Sequence, residues 1–69
     1  MGETPLLNTL KAARAAAGLT QADLAEKVGV TRKTINTVEN GVFVPSTVLA
    51  LKLARALDAT VEALFQLPE

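Results

Sequence analysis

Arg32, Lys33, Asn36, Thr37 and Asn40 are the residues best equipped for polar recognition in this chain, and their spacing gathers them. At about 100° per residue, Lys33, Asn36, Thr37 and Asn40 share one side of a helix, with Arg32 at its N-terminal flank. Thr34, Ile35 and Val38 fall on the other side, where a core would lie. A surface of Arg, Lys, Asn and Thr offers many donors and few acids. Such side chains bond base edges and phosphates. The same composition also describes an ordinary solvated helix face.

Other chemistries fare worse. The 69 residues contain no His and no Cys, so the commonest general base and the commonest metal ligands are missing. Asp58 and Glu62 stand four apart, but acids beside a helix start are adequately explained by the helix dipole. So short a chain cannot enclose a substrate cleft, and scattered carboxylates do not make an oxygen cage for a metal. The expectation is no enzyme, no cofactor and no metal. Aromatic residues are 3% of the chain, Phe43 and Phe65, too few for base-stacking platforms. Lys52 and Arg55 interrupt the longest apolar run, excluding a membrane span. Met1-Gly2-Glu3-Thr4-Pro5 lacks the basic start of a signal peptide, and Leu6 is wrong for myristoylation, so the expected location is cytoplasmic. Seven Lys and Arg balance seven Asp and Glu. Nonspecific attraction to nucleic acid should therefore be low.

The elements that must position the polar face follow from regular punctuation. Thr4 and Pro5 read as cap and first residue of a helix whose stripe is Leu6, Leu10, Ala13 and Ala17, ended by Gly18. Thr20, with Asp23 three residues on, opens a second helix lined by Leu24, Ala25 and Val28 and ended by Gly29. Thr31 opens the third, which runs to about Asn40 before Gly41. After Val42-Phe43-Val44, Ser46 caps a fourth helix carrying Leu49, Leu53, Ala54 and Leu57 to Asp58. Thr60 caps a short fifth, with Val61, Leu64 and Phe65 apolar. No useful alternating run occurs, so the reading is all-α, one domain over 1–69. Around Gly29, Ala25 lets the third helix cross closely and Val30 plugs the turn. That is the shape of a helix-turn-helix, whose second helix enters a DNA major groove.

The stretch over about 20–40 resembles the Cro/C1-type helix-turn-helix of phage repressors and the XRE family of bacterial regulators. Leu10 to Arg14 resembles the family's first helix, and Leu19-Thr20-Gln21 with Leu24-Ala25 its second. Ile35, Val38, Glu39-Asn40-Gly41 and Pro45-Ser46 resemble the end of its third helix and the start of its fourth. The resemblance implies a five-helix, lambda-repressor-like DNA-binding domain. It implies that Gln21 touches a phosphate and braces helix three, and that Arg32 and Lys33 reach base edges or flanking phosphates. Thr37 would meet a base edge, such as a thymine methyl, and Asn40 with the following loop would hold the backbone. Arg14 and Glu39 each lie about 60° from their helix's apolar stripe, at the core rim, and the resemblance implies that they pair. Two departures stand out: Val42-Phe43-Val44 is uncharged where relatives are often basic, and the net charge is zero. Phe43 is expected to cover the start of helix four or a partner.

The implied activity is regulation of transcription, as a repressor acting as a homodimer on palindromic double-stranded DNA. A chain this short buries only about 60% of its unfolded surface, which favours association. Val61, Leu64, Phe65 and Leu67, within about 60–69, are the candidate dimer contacts. The alternative is an interaction module such as an antitoxin, whose main partner is a protein toxin; a restriction controller is a further form of the DNA-binding reading.

Overall fold

The computed structural model describes residues 6–68. Five helices follow the expected order: α1 Leu10–Ala16, α2 Gln21–Val28, α3 Arg32–Glu39, α4 Thr47–Ala56 and α5 Val61–Leu64. Side-chain caps set four of the five starts. The hydroxyls of Thr20, Thr31, Ser46 and Thr60 accept the backbone N–H of Asp23, Thr34, Leu49 and Ala63. Each such cap stabilises a helix by about 1 kcal/mol. At Thr20 the box is reciprocal, because the Asp23 carboxylate accepts the Thr20 N–H at 3.0 Å. The turn between α2 and α3 needs Gly29, whose φ of 77° lies in the left-handed region. There the Ala25 carbonyl accepts the N–H groups of both Gly29 and Val30.

The first helix starts later than its apolar spacing predicts. Thr4 and Pro5, read as its cap and first residue, lie outside the described residues, and Leu6 precedes α1. Instead Leu7–Asn8 forms a short strand, β1, antiparallel to β2, Phe65–Gln66. Leu7 pairs with Gln66 and Asn8 with Phe65. Local polar groups favour the extended path: the Asn8 side-chain oxygen accepts the Leu10 N–H at 3.3 Å, and its amide donates to the Val38 carbonyl at 3.2 Å. Thr9 is tied to α5, its N–H to the Leu64 carbonyl and its hydroxyl to the Ala63 carbonyl. The domain is thus helical with one small strand pair joining its ends. α4 stops at Ala56, two residues short of the expected Asp58, which turns to a φ of 54°. Aspartate tolerates that region better than most residues.

Every helix contributes to one core. Leu10, Leu24, Ile35, Val38, Leu53 and Leu64 are its fully buried large side chains. Burying each stabilises the fold by about 1.5–3 kcal/mol. Ile35 and Val38 anchor α3 from behind, which leaves its other side to the solvent.

Candidate nucleic-acid interface

Cap, glycine and apolar spacing together orient α3. Its outer surface exposes Arg32, Lys33, Asn36 and Asn40. Asn40 donates to the Asn36 side-chain oxygen at 3.2 Å, one turn apart, so the two amides brace each other. Thr37 is half-buried, and its hydroxyl donates to the Thr34 carbonyl at 2.9 Å. Thr34 sits at the margin of the core, its hydroxyl 3.0 Å from that of Thr31. The one acid of α3, Glu39, is turned away, its side chain only 1% exposed. The outer surface therefore carries two cations, two amides and no carboxylate.

Glu39 organises the inner side. One of its oxygens accepts Arg14 Nε at 2.6 Å, and the other accepts Arg14 Nη2 at 3.3 Å and Gln21 Nε2 at 3.1 Å. The remaining guanidinium nitrogen of Arg14 donates to the Leu19 carbonyl at 2.8 Å. A buried carboxylate is tolerated when it is paired and hydrogen-bonded. The hydrogen bond to Glu39, helped by its negative charge, holds the Arg14 pKa above the usual arginine value despite burial. Asp23 is shifted down, chiefly because its carboxylate accepts the Thr20 N–H and then the hydroxyl. Among the described residues no buried side-chain nitrogen or oxygen lacks a hydrogen-bond partner. α1, the following turn, the start of α2 and the end of α3 are thus locked by one carboxylate.

The structure separates the remaining candidates. Gln21 is half-buried and bonded to Glu39, so it is a strut between α2 and α3 rather than a freely solvated side chain. Leu64 and Phe65, read from sequence as dimer contacts, are 1% and 8% exposed and belong to the protomer's own core. The strand pair is the reason: β2 folds back beside β1 and carries Phe65 inward. Val61 is partly buried and Leu67 is 71% exposed. Asn8, which ties β1 to the end of α3, was invisible in the spacing of polar residues. Among the described residues no group of three or more carboxylates could hold a metal ion. No described helix is long and apolar enough to cross a membrane.

Fold and site together define a class: a small helix-turn-helix domain whose second motif helix is fixed behind and bare in front. Known proteins agree. The helix-turn-helix family profile matches residues 10–64, and the chain belongs to that family, of Cro/C1 (XRE) type. It is 45% identical over 62 residues to an uncharacterized HTH-type transcriptional regulator, YgzD, of Bacillus subtilis, covering 90% of this chain and 94% of that one. An HTH-type transcriptional regulator of Methanocaldococcus jannaschii is 47% identical over 58 residues, 84% of this chain and 88% of its own. The solved structure of the restriction-modification controller protein C.AhdI from Aeromonas hydrophila matches with a TM-score of 0.74 and 41% identity, over 78% of this chain and 82% of that one. The protein is a transcriptional regulator with a DNA-binding helix-turn-helix fold, not an enzyme.

Proposed function

We propose that the protein is a sequence-specific repressor that binds a palindromic operator in duplex DNA as a homodimer. The observation that carries this reading is the asymmetry of α3, with Arg32, Lys33, Asn36 and Asn40 outward and Glu39 inward. Arg32 and Lys33 lie in the first turn, the end such helices present to bases. Asn36 and Thr37 follow one turn on. Gln21 and Asn40 flank the groove and hold phosphates, which fix register without reading sequence. Repression follows from occupancy, because a bound dimer excludes other proteins from the same DNA. The chain's relatives are bacterial and archaeal, which supports a cytoplasmic location.

The dimer is supported by a largely apolar groove of about 520 Å3 between α4 and α5, where Leu6, Pro45, Ala50, Leu51, Val61 and Phe65 are joined by Thr47 and Glu62. Leu51 is 57% exposed on its rim. With Leu64 inside the protomer, Val61, Leu67 and this groove are the interface candidates. A two-fold dimer would set two copies of α3 about 34 Å apart, one helical turn of DNA. Selection of bound duplexes from a random pool tests the whole reading: a two-fold symmetric motif is expected. No enriched motif, while a control regulator yields one, overturns it. Sedimentation equilibrium showing a monomer at high micromolar concentration, with one protomer per site on DNA, overturns the dimer.

A second reading has its own observation. Val42, Phe43 and Val44, 77%, 47% and 62% exposed, make an uncharged loop before α4 that suits a protein partner, such as a toxin if the chain is an antitoxin. A toxin reading frame beside the gene, and co-purification of its product with this chain, would favour it.

A further inference from the structure

A second cationic surface lies off α3, where α2 and α4 pack side by side. Lys27 from the end of α2 and Lys52 and Arg55 from α4 line a groove of about 400 Å3, with Glu26 the one acid in its lining. Lys27 and Arg55 sit in the last turns of their helices, where the dipole favours a cation. Lys52 has no such reason to be there. Among the described residues the one salt bridge joins Arg14 and Glu39, so Lys27, Lys52 and Arg55 have no carboxylate of those residues within 4.0 Å. Asp23, one turn before Lys27, is attracted to it without reaching it. Three of the seven Lys and Arg of a neutral chain thus gather away from the helix that faces DNA.

The groove continues past the α2–α3 turn toward the start of α4. There Val30, Phe43 and Val48 line about 330 Å3, and Val28, Gly29 and Lys52 belong to both halves. Phe43 and Val48 are 47% and 62% exposed. Val48 and Arg55 are about 10 Å apart along α4, two helical turns. The surface is therefore basic at one end and apolar at the other. An inorganic anion or a DNA strand would use the basic end and leave Phe43 and Val48 in water, which is a poor solvent for them. A wholly apolar partner would cover the cations without pairing them, which is costly. We infer that this groove docks an acidic segment of a partner protein. Its carboxylates lie over Lys27, Lys52 and Arg55, and an apolar side chain about two turns away packs against Phe43 and Val48. Complementary charge steers such a segment and fixes its direction. The inference rests on the protein-partner reading above and gives that partner a chemistry and a site.

The test selects peptides from a random display library on the full chain, then measures the enriched peptide against single variants by fluorescence anisotropy. The expected motif is a cluster of aspartates and glutamates about two helical turns from a bulky apolar residue. Lys52→Glu should weaken that peptide about fivefold, one exposed pair lost and one repulsion gained. Arg55→Glu should do the same, and Val48→Ser should weaken it about threefold. Each variant should melt, sediment and bind the selected duplex as the wild type does. Enriched peptides without acids, or an acidic peptide that binds Lys52→Glu and Arg55→Glu as tightly as the wild type, overturn the groove. If such a peptide is lost instead on Val42→Ser and Val44→Ser, the protein-partner reading stands without it. Weaker duplex binding by Lys52→Glu and Arg55→Glu assigns the groove to DNA phosphates, and a changed oligomeric state assigns it to a second copy of this chain. Either result overturns the inference. A library that enriches nothing overturns the groove too, and leaves the toxin to be tested by co-purification.

Discussion

The two sides of α3 differ in how completely the rest of the domain uses them. Inward, Ile35 and Val38 are fully buried and Glu39 accepts three hydrogen bonds from Arg14 and Gln21. Outward, Arg32 and Lys33 are exposed, and Asn36 and Asn40 bond only to each other among side chains of the described residues. The inner side is held by polar groups from β1, α1 and the start of α2. The outer side meets only the loop after α3, whose Val42 and Phe43 N–H groups bond the Thr37 carbonyl. Glu39 is the point of contact between the two: by facing inward it holds the helix and removes the only negative charge from the exposed surface. Position and recognition are thus assigned to different residues of one short helix, and changes on the two sides should separate cleanly.

The largest expected effect is on the inner side. Glu39→Ala should destabilise the fold by about 2 kcal/mol in urea unfolding, because the partly buried Arg14 guanidinium is left without its partner. Adding Arg14→Met should recover part of that loss. If the two single changes simply add, the pair does not hold α3. A smaller effect is expected at the start of α2. Thr20→Ala removes the hydroxyl that accepts the Asp23 N–H but keeps the backbone N–H that donates to the Asp23 carboxylate, and should cost about 1 kcal/mol in the same assay. An unchanged midpoint would mean that packing alone fixes α2.

The smallest effect is a pH dependence. Asp23 has a lower pKa folded than unfolded, so its contribution is present above the ordinary aspartate pKa and is lost as pH falls through the folded value. The melting temperature of the wild type should exceed that of Asp23→Asn at neutral pH, and the difference should shrink in that acidic window. A difference independent of pH would show that the charge of Asp23 does not matter.

The sequence reveals most of what is local. Thr20, Thr31, Ser46 and Thr60 each announce a helix, since a cap acts on a backbone N–H three residues away. Gly29 and the small Ala25 reveal the motif for the same reason. The strand pair is illegible because two-residue strands have no period, and Leu7 meets Gln66 only when the chain ends come together. Leu64 and Phe65 look alike as core or interface residues until the strand pair carries Phe65 inward. At the site, the outward types are legible from helical spacing. The hydroxyl of Thr37 bonding back to Thr34, and the loop bonding back to Thr37, depend on a rotamer and a turn that composition does not encode.

The most direct test of the account compares the outer side of α3 with the α2 strut behind it, on DNA. Arg32→Ala, Lys33→Ala and Gln21→Ala are each titrated against the selected duplex and against every single-base substitution of it. Arg32→Ala or Lys33→Ala should cost about 1–3 kcal/mol in binding and relax the preference at one base position. Gln21→Ala should weaken binding to all the sequences about equally. If neither Arg32→Ala nor Lys33→Ala changes the preference at any position, the start of α3 does not read the bases, and the central claim fails.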